Sequence, residues 1–517
     1  MTLQAWSVPD VRAAEQAAMA QLPDGELMQR AARGLAAVAR ARLTGRRRAC
    51  VVGLVGSGGN GGDTLYALSR LARRRESDDV VAVLVSDRGV HPGGLEAARM
   101  YGVRVLEAAW GTSPSEEILE VARGADLLMD GLTGIGGRPG WAKGAGVVVA
   151  PFLEAVRPEA YIIAVDLPSG ADPEGEQPDS PGVWADETVT FGVCKGAHLL
   201  ATADRCGLLT VVDIGLEMTT SPAVERLVHD DVARLWPVPG RDDDKYSRGV
   251  LGVVAGGEKY PGAAALCVSA AVSAGAGMVR YVGPPTPTFL VCGRVPEVVL
   301  GPPTGTQRVQ AWVVGPGLDP SPKGAGPDVA QVAAAREVLA SGLPAVVDAG
   351  GLDLLDGPRP GAGARTLLTP HAGELARLLT RLSGRVVSRE EVAADPVRSA
   401  RSAADKLHAT VLLKGHRTYV VPPPGSGLPV RAQADAPAWM ATAGSGDVLA
   451  GIAGTLLAAG LDPLDAGSLA ALVHGLAGQE ASRGGPVRAL AVTQSLGDVL
   501  STVLARREGH FRGTLSE

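Results

Sequence analysis

Three stretches in the first half of the chain place oxygen-bearing side chains among glycines. The loop GSGGNGGD carries Asn60, the stretch DLLMDG carries Asp130, and DLPSG carries Asp166 and Ser169. Each stretch follows or ends an apolar run that predicts a strand, and the sites of parallel sheets collect at the carboxyl ends of strands. An amide, a carboxylate and a hydroxyl at one sheet edge, joined by backbone carbonyls, would suit a hard cation. The alternative is that Asp130 and Asp166 only cap helices.

The glycine loop is also a candidate nucleotide-binding turn. Gly56, Gly58 and Gly61 satisfy the pattern G-x-G-x-x-G, which cradles a pyrophosphate at a helix N-terminus. Asp63 argues against an ordinary phosphate loop, because its charge would repel the phosphate unless a cation intervened. Asn60 adds a carbonyl oxygen that such a loop does not need.

The stretch AGSGDVLAG, in the second half, suggests phosphoryl transfer. Gly444 and Gly446 would let backbone amides approach an oxyanion, and Asp447 lies beside them. A carboxylate placed there can take the proton of a substrate hydroxyl as that oxygen meets a phosphate. Lys414 and His371 lie in glycine-rich loops at predicted strand ends, where parallel-sheet sites form.

The elements that must position these residues alternate between strands and amphipathic helices. Strands alternating with helices predict an α/β fold with a parallel sheet covered on both faces. The predicted strands of the first half are 50–55, 80–85, 103–106, 126–130, 161–166, 188–192 and 208–213. Those of the second half are 249–257, 278–283, 311–317, 345–350, 366–371 and 410–415.

The two series predict two domains with doubly wound parallel sheets. The first spans 1–215 and the second 244–510, and no repeat is visible between them. Residues 216–243 lack a strand pattern and contain scattered prolines, which predicts a linker with one short helix. A chain of 517 residues is too long for one ordinary core, in agreement with two domains.

Composition excludes several classes of protein. Hydrophobic residues make up 46% and charged residues 20%, which is typical of globular chains, and the net charge of −6 favours neither nucleic acid nor membrane. Five cysteines without a Cys-x-x-Cys pair fit a reducing compartment and argue against zinc. The N-terminus lacks the apolar segment of a signal peptide, and the apolar stretch 448–461 predicts a buried helix rather than a membrane span. We therefore expect a cytoplasmic protein.

The motifs of the first half, taken together, resemble the NAD(P)HX epimerase domain. The resemblance rests on NGGD, on the segment from Asp130 to Gly134, on DLPSG, and on the opening helices VRAAEQAA and ELMQRAARGLA. It implies a Rossmann-like fold that interconverts the R and S hydrates of NADH and NADPH. It also implies that Asn60, Asp130 and Ser169 hold K⁺ and that Asp166 touches the reacting ring. The implied substrate contacts are Asn60, Gly61, Gly62, Asp63, Gly134, Ile135, Gly136, Gly137, Arg138 and Asp166.

The second half resembles the ADP/ATP-dependent NAD(P)H-hydrate dehydratase of the ribokinase-like superfamily. The resemblance rests on TPHAGE, KGH and AGSGDVLAGI and covers about 240–508. It implies that the hydroxyl of the hydrate is phosphorylated and then eliminated, with Mg²⁺ and ADP or ATP. The implied contacts to the hydrate are Ala263, Gly317, His371 and Asp447. The implied contacts to the nucleotide are Lys414, Gly415, His416, Arg417, Thr418, Gly444 and Gly446.

Several positions depart from these families. The epimerase loop usually reads Asn-Asn-Gly-Gly-Asp-Gly, whereas this chain has Gly59 and Thr64 at the outer positions. The dehydratase pattern Asp-Ala-Asp-Ala-Leu is here DAGGL, so an acid is missing at Gly350. The resemblance thus leaves the proposed base and the potassium ligands in place but removes two polar groups nearby.

The leading hypothesis is a bifunctional repair enzyme acting on small molecules, NADHX, NADPHX and an adenine nucleotide. One alternative is a ribokinase-like kinase of a small vitamin or sugar alcohol with a non-catalytic N-terminal domain. Another is that the N-terminal half serves only structure or oligomerisation. The sequence decides neither between ADP and ATP, nor between NADHX and NADPHX, nor the acid or base role of Asp166. An apolar face in the 20–43 helix region leads us to expect a homo-oligomer.

Overall fold

The computed structural model describes residues 2–46, 48–73, 79–178, 180–302, 308–361 and 365–512. Its Cα positions divide into two compact units, one formed by residues 4–224 and one formed mainly by residues from 225 onward. We refer to them as the first and second units.

The first unit is built on a parallel sheet of seven strands. Their order is β4-β3-β2-β5-β6-β7-β9, with every pair parallel. The strands are β2 (Cys50–Val55), β3 (Asp79–Leu84), β4 (Arg104–Glu107), β5 (Leu127–Gly131), β6 (Tyr161–Val165), β7 (Glu187–Phe191) and β9 (Leu208–Val212). All seven strands predicted for this half are therefore confirmed. Two short strands, β1 (Leu3–Trp6) and β8 (Cys194–Lys195), pair with each other outside this sheet.

Helices cover both faces of that sheet because β2, near its centre, is a continuous apolar run. Val51 and Val55 of β2 pack in one cluster with the second and third helices, and Val52 and Leu54 pack in another with the fifth and sixth. Continuous apolar runs are the pattern of a parallel sheet buried on both sides. The helices are α1 (Val8–Met19), α2 (Glu26–Arg42), α3 (Gly59–Arg73), α4 (Pro92–Met100), α5 (Glu116–Gly124) and α6 (Ala145–Ala155).

The second unit contains a mixed sheet. Its strands follow the order β13-β12-β11-β14-β15-β16-β17-β18-β19, parallel as far as β17 and antiparallel across β17, β18 and β19. They are β11 (Val250–Val254), β12 (Met278–Val282), β13 (Val299–Leu300), β14 (Ala311–Val314), β15 (Ala345–Val347), β16 (Thr366–Leu368), β17 (Thr410–Leu413), β18 (Thr418–Val421) and β19 (Val430–Gln433). All six predicted strands are present. The expectation of a wholly parallel sheet was wrong for β18 and β19, whose four residues each leave only a brief pattern.

The segment 216–243 is more ordered than the linker that the sequence predicts. It contains the expected short helix, α7 (His229–Leu235), and also a strand, β10 (Val224–Arg226). Glu225 of that strand accepts from Arg431 Nε at 3.0 Å. A three-residue strand followed by a helix leaves too short a run for a period-two pattern to be visible.

The helices of the second unit form a core in which small residues allow close packing. Beyond α7 they are α8 (Gly262–Ser273), α9 (Pro285–Arg294), α10 (Pro327–Ala340), α11 (Ala372–Ser383), α12 (Arg389–Ala394), α13 (Pro396–Leu407), α14 (Ser445–Ala458), α15 (Pro463–Ser482) and α16 (Ala489–Arg512). A Cβ at Gly451 of α14 would overlap the carbonyl of Cys267 in α8, so glycine permits this contact. The predicted buried helix at 448–461 is confirmed as α14, whose residues from Val448 onward are buried. Across the described ranges, no helix combines the length and apolar character that crossing a membrane requires.

Candidate active sites

In the first unit, the three stretches predicted to carry a site meet at the carboxyl ends of β2, β5 and β6. A Cβ at Gly56 would overlap the carbonyl of Leu132, so the glycine loop lies directly against the turn after β5. A Cβ at Gly134 would likewise overlap the side-chain amide of Asn60. The glycines are needed for this approach, because any larger residue would force the two loops apart.

Asn60, Asp130 and Ser169 form a group of oxygen-bearing side chains at this edge. Asp130 is fully buried and accepts from Ser169 Oγ at 2.6 Å and from Ser169 N at 2.7 Å. The amide of Asn60 faces the carbonyl oxygens of Val165 (2.5 Å) and Thr133 (3.2 Å).

The donor set fits a hard cation. Burial raises the pKa of Asp130 to about 6, with the Ser169 hydrogen bonds opposing the rise. Within the described ranges, no ion pair with a cationic side chain involves Asp130. A buried carboxylate of this kind is stabilised by a bound cation, and oxygen ligands are those that hard cations prefer.

Asp166 belongs to a second group at the end of β6, in which it is ionised. Its Oδ1 accepts from Lys195 Nζ at 2.6 Å and from Thr190 Oγ1 at 3.0 Å, and Lys195 is only 1% exposed. Burial alone would raise the pKa of Asp166, but the charge and hydrogen bond of Lys195 outweigh it and hold the pKa below its usual range. The backbone of Asp166 has φ of +66°, a conformation that a non-glycine residue adopts at a cost.

His198 fixes the backbone of Asp166 rather than its carboxylate. His198 Nδ1 accepts from the backbone N–H of Lys195 at 2.9 Å, so Nε2 carries the proton and donates to the carbonyl of Asp166 at 2.8 Å. Burial lowers the pKa of His198 to about 4 and keeps the ring neutral. The strained turn at Asp166 is thus held from one side by an imidazole and from the other by an ammonium group.

The predicted substrate loop runs from Gly134, which lies against the Asn60 side chain, to Arg138. Gly137 N donates to the carbonyl of Gly134 at 2.7 Å, and Arg12 Nη2 of α1 donates to the carbonyl of Ile135 at 3.0 Å. Gly136 lies beside the same guanidinium, and Arg138 is exposed. The loop is therefore open to solvent at Arg138 and fixed to α1 at Ile135.

The start of α3 also borders a cavity of about 380 Å³. Gly59 and Asp63 are in its lining, while Gly61 and Gly62 pack against protein atoms of Gly56, Met28 and His91. A Cβ at Gly59 would have nothing within 4 Å, so the family's asparagine would fit there without a clash. Thr64, the other departure, is buried, and its hydroxyl donates to the carbonyl of Asn60 at 2.7 Å.

In the second unit, most predicted site residues line one cavity of about 650 Å³. The predicted residues in this lining are His371, Lys414, Gly415, His416, Thr418, Gly444, Gly446 and Asp447. Backbone pairing brings two of them together, since Lys414 N donates to the carbonyl of Pro370 at 2.8 Å beside His371. Ligand sites are commonly concave and contain a few convergent polar groups such as these.

Lys414 is held by two carboxylates at the floor of this cavity. Its Nζ lies 2.7 Å from Asp348 Oδ1 and 3.6 Å from Glu374 Oε2. Burial would lower the pKa of Lys414, but Asp348 and Glu374 outweigh it and raise the pKa. Lys414 therefore carries a fixed positive charge where the sequence predicts a nucleotide.

Asp447 stands in the first turn of α14, beside that charge. Gly444 precedes the helix with φ of +89°, and a Cβ at Gly446 would lie 3.2 Å from Lys414 Nζ. Burial, together with Asp348, raises the pKa of Asp447 to about 7, while Lys414 opposes the rise. A helix N-terminus favours an anion, and a carboxylate with this pKa can accept a proton near neutral pH.

His371 begins α11 as its capping residue. Its Nδ1 accepts from Gly373 N at 3.0 Å and from Glu374 N at 3.2 Å, and Glu374 returns the contact by accepting from His371 N at 2.8 Å. Burial and the nearby Lys414 lower the pKa of His371, with Glu374 opposing them. The ring is therefore neutral, and its Nε2 lies 3.5 Å from Glu374 Oε1 at the cavity wall.

Three predicted residues lie outside this cavity lining. Ala263 and Gly317 contact each other, since a Cβ at Gly317 would lie 2.7 Å from Ala263 Cβ, and Arg417 is buried beside the loop.

The missing acid at Gly350 also has a structural cause. A Cβ there would overlap the carbonyl of Leu318, so this backbone has no room for the family's second aspartate.

Sequence reasoning missed several polar residues that the structure places at these sites. In the first unit they are Glu15, Thr190, Lys195 and His198. In the second they are Asp348, Glu374 and His474. Asp348 and Glu374 lie within the quoted motifs VVDAGGL and TPHAGEL, so their position after a strand or proline turn could have indicated them. His474 lies in an apolar helix, where a lone histidine gives no such signal.

Comparison with known proteins gives matches over both units. A family model described as NAD(P)H-hydrate dehydratase matches residues 251–498, and one described as YjeF-related protein N-terminus matches residues 24–197. A crystal structure of the ADP/ATP-dependent NAD(P)H-hydrate dehydratase of Bacillus subtilis, co-crystallised with ATP and Mg²⁺, is 24% identical with a TM-score of 0.46. The match covers 55% of the present chain and 98% of the Bacillus subtilis chain.

Curated relatives match nearly the whole chain. The bifunctional NAD(P)H-hydrate repair enzyme Nnr of Mycobacterium tuberculosis H37Rv is 44% identical over 466 residues, 88% of this chain and 89% of the relative. The enzyme of the same description from Mycobacterium leprae is 43% identical over 479 residues, 91% of this chain and 92% of the relative. The predicted α/β fold class, with a parallel sheet in the first unit and a largely parallel sheet in the second, is confirmed. The chain belongs to the family of bifunctional NAD(P)H-hydrate repair enzymes, which combine an epimerase with a dehydratase.

Proposed function

We propose that the first unit interconverts the R and S hydrates of NADH and NADPH at Asp166, and that the second unit dehydrates the S form at Asp447. The dehydratase would consume ADP or ATP. The observation that carries the proposal is the position of Asp447, which lies beside Lys414 at the start of α14 in the 650 Å³ cavity with a pKa of about 7.

Dehydration would proceed in two balanced steps. The hydroxyl oxygen of the hydrate attacks the terminal phosphorus of the nucleotide, and its proton passes to Asp447 as the shortened nucleotide leaves. Phosphate then departs with the electrons of the C–O bond, and a proton on the neighbouring ring carbon passes to the released phosphate as the electrons of that C–H bond restore the double bond. Lys414 and the amides of the Gly444–Gly446 turn are placed to stabilise the charge on the transferring phosphoryl group.

Magnesium would enter this site with the nucleotide. Among the residues that the structure describes, no group of three or more His, Cys, Asp or Glu side chains is arranged to hold a metal. Mg²⁺ commonly binds through substrate phosphates and one or two carboxylates instead. When bound, it would neutralise phosphate charge, and the nearby carboxylates of Asp348 and Glu374 are the protein groups that fit it.

The epimerase would use an ionised carboxylate beside a cation site. Lys195 keeps Asp166 negative, so Asp166 can stabilise positive charge that develops on the ring or accept a proton. Asn60, Asp130 and Ser169 would hold K⁺, since their oxygens form the donor set described above. K⁺ would supply a fixed positive charge for the anionic nucleotide.

The proposal is tested by recovery of NADH absorbance from a mixture of R and S hydrates with Mg²⁺, K⁺ and either ADP or ATP. The wild-type chain is expected to recover all the NADH rapidly. Asp166→Asn is expected to recover the S portion and then slow to the spontaneous rate of epimer exchange. Asp447→Asn is expected to lose dehydration by about a hundredfold or more while epimer exchange continues.

Three results would contradict the proposal. Accumulation of a phosphorylated product without release of phosphate would favour the kinase function. Unchanged epimer exchange in Asp166→Asn would remove that residue from the epimerase, and rapid dehydration by Asp447→Asn would remove Asp447 from the dehydratase. The better of the two nucleotides would be identified in the same assay.

A further inference from the structure

The 380 Å³ cavity of the first unit has three carboxyl groups in its lining, and two of them, Glu15 and Asp63, come from different helices. Asp63 comes from α3, directly after the glycine loop, and Glu15 comes from α1. Asp63 is a predicted substrate contact, whereas nothing in the sequence patterns singles out Glu15. The epimerase chemistry described above uses neither as an acid.

Asp63 is buried in a state that disfavours its charge. It is 7% exposed, and its Oδ1 has no hydrogen-bond partner among the described residues. Burial, followed by the charges of Asp166 and Glu15, raises the pKa of Asp63 well above its usual value, with Lys195 opposing. Such surroundings favour the neutral, protonated form of a carboxyl group over its anion.

Glu15 connects this acid to the substrate loop. Burial and the charge of Asp166 raise the pKa of Glu15, while Lys195 and Arg12 oppose the rise. Arg12, one turn earlier on α1, donates to the carbonyl of Ile135 at 3.0 Å. The helix that presents Glu15 to the cavity is therefore fixed to the loop predicted to bind the hydrate.

We propose that Glu15 and Asp63, which line the same cavity, form the proton-donating pair of the epimerase, and that one of them delivers a proton to the departing hydroxyl of the hydrate. The inference rests on the proposed epimerase function and adds the acid that complements ionised Asp166. Enzymes often assign acid and base roles to carboxyl groups whose surroundings separate their protonation states. The other titratable groups in this cavity lining are Asp24, Tyr66 and His91, and the charges of Arg12, Asp166 and Lys195 also act on the pair.

The chemistry balances without a co-reactant. Hydration of an enamine places the hydroxyl on the carbon next to the ring nitrogen. The pair protonates that hydroxyl, the C–O bond breaks with its electrons on oxygen, and the nitrogen lone pair forms a C=N bond as water leaves. Water then adds to the opposite face and returns a proton to the pair, so that only the configuration has changed. The negative charge of Asp166 would stabilise the cationic ring between these steps.

The test compares Asp63→Asn and Glu15→Gln in the full chain with K⁺ present, and epimer exchange is followed by chromatographic separation of the R and S hydrates. We expect exchange to fall by about a hundredfold in Asp63→Asn and by about tenfold in Glu15→Gln. Dehydration of the S form in the same preparations should match the wild type and shows that the chain is folded. Glu96→Gln, which alters an exposed carboxylate of α4 outside this cavity lining, is the matched control and should exchange normally.

A further variant separates an acid from a packing role. Glu15→Asp keeps a carboxyl group and should exchange epimers faster than Glu15→Gln. The rate of exchange should decline at high pH as the acid loses its proton, and the pH of this decline should differ between Glu15→Asp and the wild type. Equal rates in these two variants, or wild-type exchange in both Asp63→Asn and Glu15→Gln, would overturn the acid pair while leaving the epimerase function intact. A wild-type chain that fails to exchange epimers would overturn both.

Discussion

The aspartates proposed for the two reactions differ in the protonation state that their neighbours favour. Lys195 holds the pKa of Asp166 below its usual range, whereas burial and Asp348 raise that of Asp447 to about 7. Asp166 is therefore a permanent negative charge at neutral pH, and Asp447 is a group that can accept and release a proton. These two states match the stabilisation of a cationic ring and the activation of a hydroxyl, respectively.

The rate of dehydration should depend on pH through Asp447. Asp447 must be ionised to accept the hydroxyl proton, so the rate should rise about tenfold per pH unit below its pKa and level off above a midpoint near 7. The measurement is the rate of S-hydrate dehydration between pH 5 and 9 with saturating nucleotide, in intervals of about half a unit.

Matched variants identify the group that titrates. Asp405→Asn alters an exposed carboxylate of the same unit and should keep both the rate and the midpoint. Asp447→Asn should lose both the activity and the rise of the rate with pH. A wild-type midpoint near the ordinary aspartate value of about 4 would contradict the environment described for Asp447.

The second expectation concerns Lys195, whose buried charge is compensated by Asp166. Lys195→Met would leave Asp166 buried without its counter-charge, which should lower the free energy of unfolding by about 3–5 kcal/mol at neutral pH. Asp166 has a lowered pKa in the folded wild type, so its stabilising contribution is present above its unfolded pKa and is lost as pH falls through the folded value. The difference between variant and wild type should therefore shrink in acid, because protonation relieves the unpaired charge in the variant.

Urea unfolding of the two proteins at several pH values measures this difference. Lys143→Met, an exposed lysine of the same unit, should change the free energy of unfolding by less than about 0.5 kcal/mol. A small effect for Lys195→Met that does not vary with pH would mean that the ion pair with Asp166 is not a net source of stability.

At the scale of elements, glycines bring the loops after β2 and β5 close enough to form the cation site. Gly134 leaves room for the Asn60 amide, and a methyl group there would displace it. Gly134→Ala should therefore weaken K⁺ binding, and epimer exchange should need about tenfold more K⁺ for half its maximal rate.

The measurement is epimer exchange against K⁺ concentration, with Na⁺ added to keep ionic strength constant. Gly124→Ala, at a glycine of the same unit with nothing within 4 Å of an added Cβ, is the control and should keep the wild-type requirement. Equal K⁺ requirements in Gly134→Ala and the wild type, or exchange that needs no K⁺ in either, would contradict the cation site.

The length and pattern of each element decide how much of it the sequence could predict. Strands such as β2 and β5 were visible because they are continuous apolar runs, and Asn60, Asp130 and Asp447 were visible because they directly follow or precede such elements. Lys195 and Glu15 reach the first site from elements that are distant in sequence, and only tertiary packing brings them there. Strands β10, β18 and β19 have three or four residues each, too few for a periodic pattern to be recognised.

At the scale of the whole molecule, each proposed site is made of residues from one unit. Among the residues that the structure describes, Asn60, Asp130, Asp166 and Lys195 lie within 4–224, and the residues around Asp447 lie in the unit that follows. The relatives of the same family match across both units, so the two activities are carried by one chain. Fusion supplies both activities in equal amounts, which suits a stereospecific dehydratase that needs a continuous supply of one epimer.

Because neither site takes a described residue from the other unit, the two activities should complement each other between chains. Asp166→Asn alone should stall after consuming the S hydrate, and Asp447→Asn alone should regenerate almost no NADH. An equimolar mixture of the two variants should recover the NADH of both epimers, since the epimerase of one chain releases S hydrate that the other chain can bind. NADH absorbance follows the recovery, with each variant alone at the same total concentration as the control. A mixture that stalls at the S portion would mean that the epimer passes between sites only within one chain.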